Sequence, residues 1–404
     1  MKRLVLKFGG TSVGSVEKIK NVANIIKEEF NKSREIIVVV SAMSGITNDL
    51  KKKSNLISEN FDNKELDVLL SSGEQVSCSL LAGALISLGL KARSWLGWQI
   101  PIVTNNNYNS SQILKIKTEE VSKFISNKGV AVIAGFQGIS FEDRITTLGR
   151  GGSDLSAVAL AKFFKADSCE IYTDVEGVLT TDPSINKKAK KIDKISYEEM
   201  LEMASLGAKV MQPSAVQASM IDDILIHVRS TFTKKSGTKI ISENDIDYKR
   251  AVTGIAYSKN NAKVSLVGVV DKPGVAADIF EPIGKNNINI DMVIQNTSLD
   301  GKTANITFTI KQEDLKKTLH IIEKNKNKIN YKKITHDGKL AKVSIIGAGM
   351  ITSPGVTHKM FRSLAKGKIN ILAISTSEIK ISVLIEQNLT QKAVKVLHEA
   401  FGLN

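Results

Sequence analysis

Aromatic residues and cysteines are scarce in this chain of 404 residues. Phe, Trp and Tyr make up 5% of the sequence and hydrophobic residues 42%, so the cores must consist mainly of aliphatic side chains. The two cysteines, Cys78 and Cys169, are too few for a disulfide framework, and each lies in an apolar stretch. We interpret both as buried thiols. The length indicates two or three domains.

The sequence also lacks the pattern of a secretory signal and any long apolar run. Lys7 stands where the apolar part of a signal would continue, and the most apolar helix-like stretch, residues 80–90, is far too short to span a bilayer. We therefore expect a cytoplasmic protein with no membrane partner.

Acidic residues are fewer than basic ones, which gives a formal net charge of +15. Such a charge suits a nucleic-acid binder. However, the basic residues are spread along the chain, and the local clusters at residues 51–53 and 187–191 contain no aromatic residues. We expect solvated surface charge and no nucleic-acid partner, and a nucleic-acid binder stays as an alternative.

The first 245 residues alternate β-branched runs with helical segments. Continuous apolar runs of this kind are typical of a largely parallel sheet covered on both faces. Ligands bind such sheets beyond the carboxyl ends of the strands. The predicted strands are residues 2–8, 35–41, 129–134, 168–173, 224–228 and 238–241.

The C-terminal part contains an internal repeat. Residues 262–268 match 341–347, and the Pro-Gly-Val triplet at residue 273 matches the one at residue 354. Residues 288–290 and 369–371 are both Ile-Asn-Ile. Each copy predicts the ferredoxin-like βαββαβ pattern.

The second copy ends with a helix and lacks one strand. The alternating segment at residues 250–258 has no partner in the first part of the chain. We predict that it completes the second copy. The domains would then be residues 1–245, residues 263–336, and residues 250–258 together with 341–404.

The first phosphate-binding candidate is KFGGTS at residues 7–12, at a strand end that leads into a helix. Glycines let the backbone approach a phosphate, and helix N-termini present unpaired N–H groups to it. The P-loop pattern is absent, because Ser15 and Val16 follow Gly14 where a lysine is required. Lys7 precedes the glycines instead. A plain glycine turn is the alternative.

A second candidate is TLGRGGSD at residues 147–154, which opens a helix. Arg150 offers a planar fork suited to a carboxylate. Asp154 is either a helix cap or a group that orients Lys7. Residues 172–183 follow an apolar strand and are interpreted as a nucleotide-holding loop or an ordinary connection. Glu74 ends the SSGE motif at residues 71–74. It is either a helix-dipole partner or a ligand for a substrate ammonium group.

The order of these motifs along one α/β domain resembles aspartate kinases of the amino acid kinase fold, over nearly the whole chain. The repeat resembles the paired ACT domains of that family. The resemblance implies a three-layer α/β/α domain with a mostly parallel sheet, followed by two ferredoxin-like ACT domains. The kinase motifs that carry it are residues 7–12, 41–43, 72–74, 135–138, 147–154, 172–174 and 181–183.

By resemblance, this is an enzyme that phosphorylates the side-chain carboxylate of L-aspartate with ATP and nucleotide-borne Mg²⁺, with no metal site of its own. Catalytic roles fall on Lys7 and Asp154. Substrate-binding roles fall on Ser41, Thr47, Glu74, Gly149, Arg150 and Ser153. The nucleotide would contact Lys7, Gly9, Gly10, Thr11, Ser12, Thr173, Asp174, Asp182 and Lys209.

The chemistry needs no general base, because the accepting carboxylate has a pKa of about 4 and is ionised at pH 7. The five histidines are scattered, and positioning with charge neutralisation suffices for phosphoryl transfer. Leu179 and Ser184 depart from the family, which usually has tyrosine and arginine there. These departures put the details of the ATP site in doubt.

ACT pairs bind small amino acids between units, often across subunits. The resemblance therefore implies feedback by lysine, threonine or both, and a homo-oligomer formed through the ACT domains. The expected effector residues are Asp271, Gly274, Ala276, Gln295, Asn296, Thr357 and Ser377. A repeat that serves oligomerisation alone, a related kinase for glutamate, acetylglutamate or a nucleotide, and a non-catalytic amino-acid sensor stay as alternatives.

Overall fold

The β-branched runs of the first part of the chain form the strands of a central sheet in the computed structural model. The structure describes residues 2–32, 34–208, 210–246, 248, 250–298 and 301–404. The chain divides into two units. The first unit comprises Met1–Thr180 with Lys191–Asp247, and the second comprises Thr181–Lys190 with Tyr248–Asn404.

The first unit alternates strands with helices. Its strands are β1 (Arg3–Phe8), β2 (Glu35–Val40), β3 (Lys91–Trp95), β4 (Ile102–Thr104), β5 (Ile113–Ile116), β6 (Gly129–Ala134), β7 (Gln137–Ile139), β8 (Ile145–Thr147), β9 (Ser168–Thr173), β10 (Lys194–Ser196), β11 (Ile226–Ser230) and β12 (Thr238–Ile241). Its helices are α1 (Val16–Phe30), α2 (Ile46–Ile57), α3 (Asn63–Ser87), α4 (Glu119–Ser126), α5 (Gly152–Phe163), α6 (Tyr197–Ser205) and α7 (Pro213–Ile221).

Eight strands form the main sheet in the order β10-β12-β11-β9-β1-β2-β6-β3. Among the described strands, all its pairings are parallel except β11 with β12. A small second sheet has the order β5-β4-β7-β8. The expected mostly parallel α/β architecture is confirmed.

Helices cover both faces of the main sheet. Alternate strand side chains such as Leu6, Val38 and Val132 are fully buried against α1 and α3. The intervening side chains point to the opposite face because successive residues of a strand alternate, and α5 contacts β1, β2 and β9. Lys7 follows Leu6 in β1, so its side chain points to the opposite face of the sheet, which is the face that α5 covers.

Helix α3 is, within the described residues, long and apolar enough by length and composition to cross a membrane. Half of its most apolar window is buried inside the first unit. Cys78, Leu81 and Leu85 are completely enclosed there, and two carboxylates, Asp67 and Glu74, are buried on the same helix. These contacts are those of a core helix.

The second unit contains the repeat. Its strands are β13 (Gly254–Val270), β14 (Val293–Thr297), β15 (Thr303–Lys311), β16 (Lys333–Ile346), β17 (Ala373–Thr376) and β18 (Lys380–Glu386). Its helices are α8 (Val275–Lys285), α9 (Leu315–Lys324), α10 (Lys326–Ile329), α11 (Val356–Lys366) and α12 (Thr390–Ala400).

Two long strands run through both copies of the repeat. The sheet has the order β14-β15-β13-β16-β18-β17 and is antiparallel. Residues 254–258 pair with 342–346, and residues 263–267 pair with 333–337. Residues 254–258 thus supply the strand that the second copy lacks in its own sequence. The last strand of the first copy and the first matched strand of the second copy form one continuous strand, β16.

A short segment of the first part of the chain packs within the second unit. Ile185 is buried in the same cluster as Val343 and Leu397. The Tyr257 hydroxyl donates to a carboxylate oxygen of Asp182 at 2.8 Å. Residues 181–190 therefore lie outside the first unit, although a single division at residue 245 would place them in it.

Candidate functional site

A cavity of about 760 Å³ lies in the first unit, where β1 and β2 end. We call it the Lys7 cavity. Of the residues predicted from sequence, it is lined by Lys7, Gly10, Ser41, Thr47, Glu74, Gly149, Arg150, Ser153 and Asp154. The structure therefore gathers side chains from four separate motifs around one space.

Lys7 and Asp154 form an ion pair within this cavity. Lys7 Nζ lies 2.6 Å from Asp154 Oδ1, and the two side chains are 11% and 10% exposed. Lys7 is held by the central strand β1, and Asp154 lies in the first turn of α5. The ion pair holds the Lys7 ammonium group at the cavity wall. A negatively charged group that enters the cavity would find this cation already in position, so the side chain need not move.

The glycine-rich turn after β1 approaches its neighbours closely. A methyl group on Gly10 would lie 2.8 Å from the Ala42 carbonyl oxygen, so a larger residue does not fit. The Gly9 N–H donates to the Tyr172 carbonyl at 3.2 Å. The buried Ser12 hydroxyl bonds to that of Thr231 at 2.6 Å. Only Gly10 of the turn lines the cavity.

The arginine-bearing turn before α5 depends on left-handed glycines. Gly149 and Gly151 have φ values of 74° and 73°, a region that favours glycine. A methyl group on Gly151 would also lie 1.8 Å from Gln212 Cγ. Arg150 stands between them, lines the cavity and forms no ion pair with any described residue. Its guanidinium is available to an anionic ligand.

Glu74 presents a carboxylate oxygen without a partner. Its Oε1 accepts a hydrogen bond from the Ala42 N–H at 3.0 Å, whereas Oε2 has none within the described part of the chain. The side chain is buried, and this burial raises the pKa of Glu74 from 4.5 to about 7. An ammonium group in the cavity would supply the missing charge partner.

The remaining nucleotide-assigned residues within the described part of the chain do not line the cavity. The Thr173 hydroxyl donates to Asp174 Oδ1 at 3.2 Å, at the end of β9. Asp182 lies in the second unit, where its Oδ1 accepts from the N–H and hydroxyl of Ser184. Lys209 falls outside the described residues.

The predicted effector residues lie in the second unit and are all exposed. Gly274 precedes α8 with a φ of 94°, and Gly355 precedes α11 with 88°. The set falls on the α8 and α11 starts, on the edge strand β14 and beside β17. Asp271, Gly274 and Ala276 lie at or just before the start of α8, and Thr357 lies at the start of α11. Gln295 and Asn296 lie on β14, and Ser377 follows β17.

Sequence reasoning missed several residues of the cavity wall. Phe136 lies in a recognised motif, and its φ of 68° is uncommon for a residue with a side chain. Lys51 belongs to the basic cluster that was interpreted as surface charge, and no local pattern marks the others. These are Ser44, Gly45, Asn48, Asn63, Leu66, Leu70, Asn109 and Gln212. No cluster of three or more potential metal ligands occurs in the described ranges.

Residues 2–230 match the amino acid kinase family, and residues 264–325 and 343–401 match the ACT domain. The kinase match covers more than half of the chain. The chain therefore belongs to the amino acid kinase family, with ACT domains after the kinase domain.

Its relatives in that family are aspartokinases. The aspartokinase of Bacillus sp. (strain MGA3) is 46% identical over 404 residues, which are 100% of this chain and 98% of that protein. The Clostridium acetobutylicum aspartate kinase structure is 26% identical, with a TM-score of 0.81, and covers 98% of this chain and 100% of that one. Escherichia coli aspartokinase III, solved with aspartate and ADP, shares the fold with 23% sequence identity and a TM-score of 0.83. The match covers 99% of this chain and 100% of that one. Within the family this chain groups with the aspartokinases, and it is a phosphotransferase.

Proposed function

We propose that the enzyme transfers the γ-phosphoryl group of ATP to the side-chain carboxylate of L-aspartate in the Lys7 cavity. The observation that carries this proposal is the charge pattern of the wall. It offers an unpaired carboxylate oxygen on Glu74, an unpaired guanidinium on Arg150 and a fixed cation on Lys7. This set is complementary to the ammonium and two carboxylates of aspartate beside a phosphate.

In this mechanism Arg150 holds the α-carboxylate of aspartate and Glu74 its ammonium group. A side-chain oxygen of aspartate then forms the new bond to the γ-phosphorus, and the bond between that phosphorus and the β,γ-bridging oxygen breaks. ADP leaves with the electron pair. Lys7 neutralises charge on the transferring group, and Asp154 orients Lys7. Ser41, Thr47, Gly149 and Ser153 shape the acceptor pocket.

Nucleotide contacts are proposed for Gly9, Gly10, Thr11, Ser12, Thr173, Asp174, Asp182 and Lys209. The Ser12 hydroxyl is bonded to Thr231 and its N–H donates to the Gly9 carbonyl, so a nucleotide contact from Ser12 would require one of these bonds to be exchanged. Mg²⁺ would arrive with ATP, since Asp154 is paired with Lys7. Its chemistry there is to neutralise phosphate charge.

The test is to trap the product. Aspartyl phosphate reacts with hydroxylamine to give a hydroxamate, and its formation should require both ATP and L-aspartate. Hydroxamate formed equally well from glutamate would identify a different acceptor. No ATP-dependent product with any acceptor would favour a non-catalytic sensor instead.

We also propose that the product enters lysine, threonine and methionine synthesis, and that lysine, threonine or both inhibit the enzyme through the exposed effector residues. The two ACT domains would be residues 263–336 and residues 250–258 with 341–404, after a kinase domain of residues 1–245. They would also join subunits of a cytoplasmic homo-oligomer. Assays with each amino acid, alone and combined, test the regulation, and no response to any of them would reject it.

A further inference from the structure

Asp67 is a fully buried carboxylate outside the Lys7 cavity. It lies on α3, seven residues before Glu74, so both side chains project from the same face of the helix. Both Asp67 oxygens lie 3.1 Å from the Asn109 N–H. Oδ2 also accepts from the Thr147 N–H at 2.8 Å, and Oδ1 accepts from the Thr147 hydroxyl at 2.6 Å.

The two partners of Asp67 lie where two loops of the cavity wall are anchored: Asn109 is in the loop between β4 and β5, and Thr147 ends β8, where the loop that carries Arg150 begins. Asn109 and Thr147 both line the cavity, although Asp67 does not. The loops also touch each other, because the Ser111 N–H donates to the Thr147 carbonyl at 2.9 Å. A methyl group on Gly149 would lie 2.9 Å from the Asn109 carbonyl oxygen. Arg150 follows directly.

A carboxylate is the side chain that these donors require. Burial raises the pKa of Asp67, and the hydrogen bonds from Thr147 and Asn109 oppose that rise. An asparagine in its place has one acceptor oxygen, and its NH₂ group would face an N–H or O–H donor. The substitution therefore removes acceptors and leaves buried donors unsatisfied.

We propose that Asp67 is a positioning residue for the acceptor. It ties the loops of Asn109 and Thr147 to α3, and so holds the Arg150 backbone where its guanidinium meets the α-carboxylate of the substrate. Asp67 acts through these loops and does not touch the substrate. The proposal rests on the acceptor role given to Arg150 above.

The kinetic test uses Asp67→Asn and Thr147→Val, which remove several acceptor contacts and one donor respectively. We expect Asp67→Asn to raise the KM for aspartate by about tenfold or more, with the KM for ATP within about twofold of the wild type. Thr147→Val should give a smaller rise in the same direction. Glu29→Gln is the matched control, because Glu29 is another buried carboxylate of this unit and lies outside the cavity wall. It should change neither KM.

A second readout does not depend on catalysis. Backbone amide exchange at residues 106–112 and 145–152 should accelerate in Asp67→Asn and stay unchanged in Glu29→Gln. Equal rises in both KM values, an equal effect of Glu29→Gln, or unchanged exchange in the two loops would each overturn the proposal. A wild-type enzyme that fails to use aspartate would refute the proposed function, while the exchange result would still decide the role of Asp67.

Discussion

The residues proposed for the acceptor and those proposed for the nucleotide are organised differently. On the proposed acceptor side, two buried carboxylates of α3 are hydrogen-bonded, Glu74 to the Ala42 N–H and Asp67 to the Thr147 N–H. The residues proposed for the nucleotide include Thr173, at the end of β9, and Asp182, which is bonded within the second unit. The residues proposed for the acceptor are therefore held in place before a ligand binds, whereas of those proposed for the nucleotide in the described part of the chain only Lys7 and Gly10 line the cavity.

The largest expected effect concerns Lys7, which is proposed to lie between the bound aspartate and the nucleotide. Lys7→Ala should lower kcat by at least about 100-fold, because a fixed cation at the transferring phosphoryl group is lost. Lys20→Ala, on the exposed face of α1, is the control and should leave kcat unchanged. Near-normal turnover of Lys7→Ala would remove Lys7 from the mechanism.

Arg150→Ala tests the acceptor side alone. Loss of a charge-assisted contact to a carboxylate should raise the KM for aspartate by about 10- to 100-fold and leave the KM for ATP almost unchanged. Arg144→Ala is a suitable control because Arg144 is paired with Glu65 away from the cavity wall. A rise in the KM for ATP instead would place Arg150 on the nucleotide side.

Glu74 predicts a pH dependence of acceptor binding. Its raised pKa of about 7 means that the free enzyme holds a proton on Glu74 below that pH. Aspartate requires the ionised form, so its KM should rise by about tenfold per pH unit below pH 7 and level off above it. Glu74→Gln should bind aspartate weakly and lose this pH dependence. A KM that keeps the wild-type pH profile in Glu74→Gln would contradict the assignment.

The same residue predicts a cost in stability. The folded state binds the Glu74 proton more tightly than the unfolded state, so the free energy of unfolding should fall as the pH rises from 4.5 to about 7. The ceiling of this loss is about 3 kcal/mol, since each unit of pKa corresponds to about 1.36 kcal/mol. Glu74→Gln should therefore unfold at a higher temperature than the wild type at pH 8. An equal or lower Tm at pH 8 would show that burial of the charge is compensated.

The smallest effect is expected on the nucleotide side. Ser184→Arg restores the residue that the family usually carries and adds a planar donor for phosphate. It should lower the KM for ATP by about two- to fivefold and leave the KM for aspartate unchanged. Ser184→Ala controls for the lost hydrogen bond to Asp182. Equal KM values for ATP in all three proteins would exclude a phosphate contact at this position.

Local patterns predicted the parts of the fold that local physics determines. β-branched runs such as residues 36–40 are fully buried central strands, and the glycine-rich turns lie where Gly10 and Gly151 leave no room for a side chain. The edge strand β3 was not predicted, because only Trp95 of its five residues is buried. Its place depends on pairing with β6, which its own residues do not encode.

The candidate site also combines residues that local motifs predict with residues that only the folded structure reveals. Lys7, Arg150 and Asp154 stand in recognisable motifs, and the structure brings all three to one cavity. Asp67 gave no signal, because its partners Asn109 and Thr147 are 42 and 80 residues away in sequence. Contacts at such separation appear only once the chain is folded.

The most direct test is a structure of this enzyme with L-aspartate and a non-hydrolysable ATP analogue. The account predicts the ammonium of aspartate against Glu74 Oε2, its α-carboxylate on the Arg150 guanidinium, and its side-chain carboxylate facing the γ-phosphate beside Lys7. Aspartate bound outside the Lys7 cavity, or a γ-phosphate remote from Lys7, would contradict it.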